Sequence, residues 1–135
     1  MSSITLPDYV LIHPGLSVDP VNKQGEIGVI VASQPQSDEF YVGFDDNQVG
    51  FYAADALLMI NDIAMLYQYM DEHHNSMSES DLKAMINVTL LQKYGSSQHQ
   101  KQALKVVLHH PKILDKAMVT LASVLTEARS SKIGR

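Results

Sequence analysis

Leu57-Leu58-Met59-Ile60-Asn61-Asp62-Ile63-Ala64-Met65-Leu66-Tyr67-Gln68-Tyr69-Met70 is the stretch whose reading decides the fold. Up to Ile60 the apolar residues fall in short β-prone runs. From Ile63 onward Ile63, Leu66, Tyr67 and Met70 recur at i, i+3, i+4 and i+7, the spacing of one helix face. Asn61 or Asp62 stands where a helix N-cap belongs, because a short polar side chain there accepts a bond from an otherwise orphaned backbone N–H. The change of rhythm predicts an α+β chain with a β domain over residues 1–60 and an α-helical domain over residues 61–135.

Working back from the switch, Leu57 to Ile60 reads as a closing strand reached through a tight turn at Ala53-Ala54-Asp55. Phe51-Tyr52 is the strand before it, and Asp45-Asp46-Asn47-Gln48 is turn chemistry that makes a hairpin with Phe40-Tyr41-Val42-Gly43-Phe44. Alternation in that run sets Phe40, Val42 and Phe44 on one face and Tyr41 on the other. The β-branched run Glu26 to Ala32, bounded by Gly25 and Pro35, reads as a central strand. Tyr9-Val10-Leu11-Ile12, stopped by Pro14-Gly15, is the first. Five short strands at this spacing predict a closed or partly open barrel.

Working forward, Ser78 followed by Asp81 signals a second helix with an apolar face of Leu82, Met85, Ile86, Thr89 and Leu90, ended by Gly95. Ser97 is placed to cap a third helix carrying Leu104, Val107 and Leu108. Pro111, suited to a first helical position, opens a fourth with Leu114, Ala117, Met118, Leu121, Leu125 and Ala128. A three- to four-helix unit follows, with a polar tail from Ser130. Val88, Leu91, Val119 and Val124 lie off the main apolar stripes, which predicts burial on a further side, against the barrel or a second copy of the chain in a homodimer.

The residues of the first half carry a resemblance. Gly25-Glu26-Ile27-Gly28-Val29-Ile30 resembles the glycine turn and strand of KOW-type domains. Tyr41 to Asp46, then Gly50-Phe51-Tyr52 and Leu57, resembles the later strands of Tudor and KOW barrels. Over residues 8–60 the chain is therefore similar to the SH3-like small β-barrels, and the resemblance implies a module that binds protein or RNA. The helical half resembles no particular family.

Charge bears on which partner such a module takes. Residues 1–60 hold eight acids and one base, Lys23, a net of −7, whereas residues 61–135 hold nine bases and seven acids, a net of +2. A surface as acidic as the first half repels a nucleic-acid backbone. Between Asp81 and Asp115 there is no acid, while Lys83, Lys93, Lys101, Lys105 and Lys112 all fall there. That stretch is a candidate basic face for an acidic or phosphate-bearing partner, with an ordinary solvated lysine face, or a face matched to the acidic barrel within the chain or between subunits, as the alternatives.

Catalytic chemistry leaves little trace. The chain has no cysteine, which excludes disulfides, thiolate nucleophiles and cysteine-ligated zinc. His73-His74 and His109-His110 are adjacent pairs whose rings diverge on a helix, and no histidine pair has the i, i+4 spacing that shares an ion, so no metal or cofactor is expected. There is no Walker loop, no nucleophile elbow and no dinucleotide fingerprint. No apolar run is long enough for a membrane helix and no signal peptide is recognisable, so a cytoplasmic protein is expected. The reading is a non-enzymatic interaction module that binds a protein partner through the acidic barrel or the helical face. The candidate binding residues are Tyr41 and Tyr52 on the barrel and Lys101 and Lys105 on the helices. The tyrosines have a second reading, as rim packing around a barrel filled by Phe40, Phe44 and Phe51. Two alternatives remain: a nucleic-acid-associated protein using the lysine-bearing helices, and a small enzyme with a site between the halves.

Overall fold

Apolar alternation builds the first half of the chain as strands. A computed structural model describes residues 6–126. Its strands are β1 (Tyr9–Ile12), β2 (Ile27–Gln34), β3 (Glu39–Gly43), β4 (Val49–Tyr52), β5 (Leu57–Ile60) and β6 (Met118–Thr120). They lie in one sheet in the order β4-β3-β2-β1-β5-β6. The pairs β1–β2, β1–β5, β2–β3 and β3–β4 are antiparallel. The expected five-stranded barrel is therefore corrected to an open six-stranded sheet. Closure requires the two end strands to pair, and here β4 and β6 stand at opposite ends. The sixth strand comes from residues the sequence pattern assigns to the middle of the fourth helix.

The chain divides into two compact units, residues 1–59 with 120–135, and residues 60–119. In the first, Val10, Ile12, Phe40, Val42, Tyr52, Ala54, Ala56, Leu57, Leu121 and Leu125 form one buried cluster. Alternation explains its membership, since Val10 and Ile12 share a sheet face, as do Phe40 and Val42. Residues 121–126 are helical and return Leu121 and Leu125 to this cluster.

Turn chemistry joins the strands. Asn22, Asp38 and Asn47 take left-handed backbone conformations, which the short polar side chains of Asn and Asp tolerate better than most. The β3–β4 hairpin is closed by Phe44 N–H donating to the Gln48 carbonyl at 3.0 Å and by Asn47 N–H donating to the Phe44 carbonyl at 3.0 Å. Lys23 pairs with Asp46 at the hairpin tip and lies 5.6 Å from the Phe44 ring centroid. The one base of the acidic half thus ties the loop before β2 to this hairpin.

The register of β4 is the decisive detail. Phe40 pairs with Tyr52 and Tyr41 with Phe51. Tyr52 therefore points inward with Phe40, and Phe51 points outward with Tyr41, the reverse of the expectation that Phe51 fills the core while Tyr52 sits at the rim. Tyr52 is only 3 % exposed. Its ring lies over Gly50, where an added Cβ would come within 2.5 Å of it, so only glycine fits. Its hydroxyl donates to Asp19 Oδ1 at 2.9 Å, and Asp19 also accepts from the N–H groups of Val21 and Lys23 at 2.9 and 3.0 Å. The buried carboxylate is fully partnered, as burial of a charge demands.

The second unit follows its end signals closely. Helix α1 (Ile63–His73) is capped by Asp62, whose carboxylate accepts from Ala64 N–H. Ser78 caps α2 (Glu79–Tyr94) by accepting from Asp81 N–H, and Gly95 ends it with a left-handed φ of 76°. Helix α3 (Ser97–Leu108) is capped by Ser96, one residue before the expected Ser97. Pro111 opens α4 (Pro111–Ala117), which stops after seven residues where Met118 turns extended. The expected long fourth helix is thus split by β6. Ala128 and residues 130–135 lie outside the described residues. Leu66, Met70, Met85, Val88, Leu104, Val107 and Ile113 are buried, and α2 packs against α1, α3 and α4. Thr89 is buried among them with its hydroxyl donating to the Met85 carbonyl at 2.8 Å.

Two expected outcomes test this account. Tyr52→Phe removes a buried bond to a charged acceptor and lowers unfolding stability by about 2 kcal/mol, seen as a lower urea midpoint at unchanged slope. A shift below about 0.5 kcal/mol would show that the Asp19 bond does not hold β4. The second outcome concerns the hairpin tip. The hydrogen bond from Lys23, followed by that from Gln48 N–H, holds the Asp46 carboxyl below its ordinary range, and the bond to Asp46 raises Lys23. The Asp46 contribution to stability is complete above the ordinary carboxylate range and fades as pH falls through the lowered value. The Lys23 contribution is complete below the ordinary ammonium range and fades as pH rises through the raised value. In Lys23→Met, the Asp46 midpoint followed by carboxyl NMR moves up toward the ordinary carboxylate range; an unmoved midpoint rules out the pair as its cause.

Candidate functional site

The outward face of β2, β3 and β4 is built by the same alternation that fills the core. Tyr41 and Phe51, directly opposite one another, are 37 % and 49 % exposed, with ring centroids 5.3 Å apart and planes tilted by 44°. Val49 is 54 % exposed on β4 opposite Gly43, and Val31 is 57 % exposed on β2. A register shift between Ile30 and Ala32 sets Val31 and Ala32 outward in succession. A Cβ added at Gly43 would lie 3.3 Å from Val31 Cγ1, so the bare glycine leaves room for the Val31 side chain. Tyr41, Phe51, Val49 and Val31 are thus exposed apolar side chains of β2, β3 and β4, at the β4 end of the sheet. Register also places Glu39 on this face, two residues before Tyr41, and Asp45 stands at the hairpin beyond Gly43.

An exposed aromatic pair flanked by branched aliphatics is unusual at a surface, where isolated apolar residues are common but contiguous groups mark interaction sites. Among the described residues β4 has a strand neighbour only on its β3 side. Tyr41, picked from the sequence, is part of this face. Tyr52 is not: burial first, then the bond to Asp19, pushes its phenol well above the usual range, and it serves the core. Phe51, Val49 and Val31 are the members that sequence reasoning missed. Counting alternation back from Tyr52 through Gly50 would have found them, had glycine been read as the position under the ring.

The lysine-bearing helices carry a second constellation, wholly within residues 60–119. The two-residue connection Gly95-Ser96 folds α3 back along α2, so the last turns of α3 meet the first turns of α2. Ser80, Lys83, Ala84, Asn87, Lys105, Val106, His109 and His110 line an open groove of about 420 Å³ there. Lys105 lines it. Lys101, one turn earlier on α3, does not. His109 Nδ1 lies 2.8 Å from the Lys105 carbonyl and His110 Nδ1 lies 3.2 Å from Asp81 Oδ1. A carbonyl only accepts, so His109 carries its proton on Nδ1. His74 likewise turns Nδ1 to the Met70 carbonyl at 3.1 Å. His74 and His109 thus bond back to the last carbonyls of their own helices, as residues near a C-terminus often do. Among the described residues no three His, Asp or Glu side chains gather as a metal site requires. No helix among them is long and apolar enough to cross a membrane.

Val88 is buried and Leu91, Val119 and Val124 are half-buried, while Ile86, Leu90 and Tyr94 of α2 and Tyr67 of α1 remain exposed. Comparison with protein-family models, curated proteins and solved structures matches the chain to none of them. With the open sheet, this removes the SH3-like, KOW or Tudor assignment.

The division of faces has a direct check. Phe51→Ala, at an exposed cross-strand pair, costs about 1 kcal/mol or less, whereas Phe40→Ala, fully buried opposite Tyr52, costs about 3–5 kcal/mol. Equal losses in urea denaturation would show that the two strands do not present the faces described.

Proposed function

We propose that this protein is a non-enzymatic interaction module that docks a protein partner on the outward face of β2, β3 and β4. The reading is carried by one observation, the exposed Tyr41–Phe51 pair joined by Val31 and Val49 at the end of the sheet. Aromatic rings supply contact area at small entropic cost and are enriched where partners dock.

Charge selects the partner. Residues 1–60 carry a net of −7, their one base is engaged with Asp46, and Glu39 and Asp45 flank the apolar strip. The occupant is therefore an extended protein segment that alternates apolar side chains with lysine or arginine. Apolar residues cover the aromatic pair, and the basic ones meet the flanking acids and speed encounter. A patch of four side chains fits a segment rather than a whole globular face, which takes about 800 Å² from each partner. Strand-like addition along β4 is compatible with such a segment and contributes backbone bonds.

The test is selection from a library of extended peptides against the full-length chain, followed by NMR mapping and affinity measurement. Basic-apolar peptides are expected to be enriched, to shift Tyr41, Val49 and Phe51, and to lose about tenfold or more in affinity to Phe51→Asp with secondary structure intact. Enrichment of acidic peptides, shifts confined to the helices, or equal binding by Phe51→Asp would overturn the reading.

A further inference from the structure

From the α2–α3 groove we infer a second site, independent of the sheet face, that binds a small phosphate-bearing ligand. Its lining brings together two ammonium groups, Lys83 and Lys105, the Asn87 amide, the Ser80 hydroxyl and the imidazoles of His109 and His110, around Ala84 and Val106. No acid lines it. Two carboxylates bonded to lining residues are already engaged: Asp81 lies 3.2 Å from His110 Nδ1, and Glu79 pairs with Lys83 at 3.2 Å. The Glu79–Lys83 pair is fully at the surface, where such pairs contribute little, so Lys83 turns to a more highly charged anion readily. Asp81 and the Lys105 carbonyl each engage an Nδ1, which orients the two rings and leaves Nε2 as their second functional nitrogen.

The chemistry of this set is that of a phosphate cradle. Phosphate oxygens accept several charge-assisted bonds at once, and amide, hydroxyl and ammonium donors converge here from two helices that pack together. Ser80, Lys83 and Asn87 share one face of α2 by their i, i+3 and i+7 spacing, and Lys105 and His109 share one face of α3 by i, i+4. The groove volume of about 420 Å³ lies in the range of small-molecule sites. Overall charge decides between a small ligand and a polymer. The whole chain carries −5, and its first sixty residues −7, so a polyanion is repelled while a single compact phosphate reaches the local positive groove.

The experiment titrates inorganic pyrophosphate into the isotope-labelled full chain at low salt and follows backbone and imidazole NMR signals. Saturable shifts are expected at Ser80, Asn87, Lys105, His109 and His110. The double variant Lys83→Gln with Lys105→Gln, both exposed and away from the core, is expected to bind about tenfold or more weakly with unchanged thermal unfolding. The single variant Asn87→Ala, scored the same way, is expected to weaken binding without altering the fold. Shifts that do not saturate, shifts outside the groove, or equal affinity in the double variant would overturn the inference. A mixed-sequence single-stranded oligonucleotide that binds the groove more tightly than pyrophosphate, with steep salt dependence, would overturn it in favour of a nucleic-acid surface.

Discussion

The bond from the Tyr52 hydroxyl to the buried Asp19 carboxylate fixes which way the end strand faces, and the outer surface of the sheet depends on it. A strand presents alternate residues to opposite faces, so a slip of one residue would bury Phe51 and expose Tyr52. Three features select the observed register. Gly50 leaves room beneath the tyrosine ring, Phe40 lies opposite Tyr52 in the core, and Asp19 accepts the hydroxyl. The phenol is the only aromatic head in this strand that can satisfy a buried carboxylate. Once Tyr52 is committed inward, Phe51 must stand outward beside Tyr41.

Charge in the first unit is arranged around the same loops. The Asp19 oxygens accept from two backbone N–H groups and the tyrosine hydroxyl. Lys23 is directed to Asp46 at the hairpin tip. In the helical unit the acid-free stretch folds as a helical hairpin that gathers Lys83 and Lys105 with His109 and His110 along one groove. The two constellations differ in the charge around them: acids flank the apolar strip on the sheet, and lysine and histidine side chains line the groove.

Local signals identified much of this architecture. Asp62, Ser78, Gly95 and Pro111 occupy the helix ends that their chemistry predicts, because capping is decided by the side chain and its nearest backbone. The strands from Tyr9 to Ile60 follow from β-branched alternation. The lysine-rich stretch was visible as a count, and Lys105 and Tyr41 were legible as surface candidates because periodicity alone places them off the apolar faces.

What the sequence by itself determined, then, is the type of each element up to Ala117 and the charge each half carries, since both follow from neighbours a few residues apart. Tertiary structure decided the rest. The path beyond Ala117 departs from its helical pattern because Met118 to Thr120 joins the sheet beside β5, a partner some sixty positions earlier. Whether the sheet closes depends on where that strand is placed. The inward turn of Tyr52 depends on Asp19, thirty-three residues away. The groove exists because α3 folds back on α2. Each is a pairing between distant segments, and a local pattern carries no information about which distant segment will arrive.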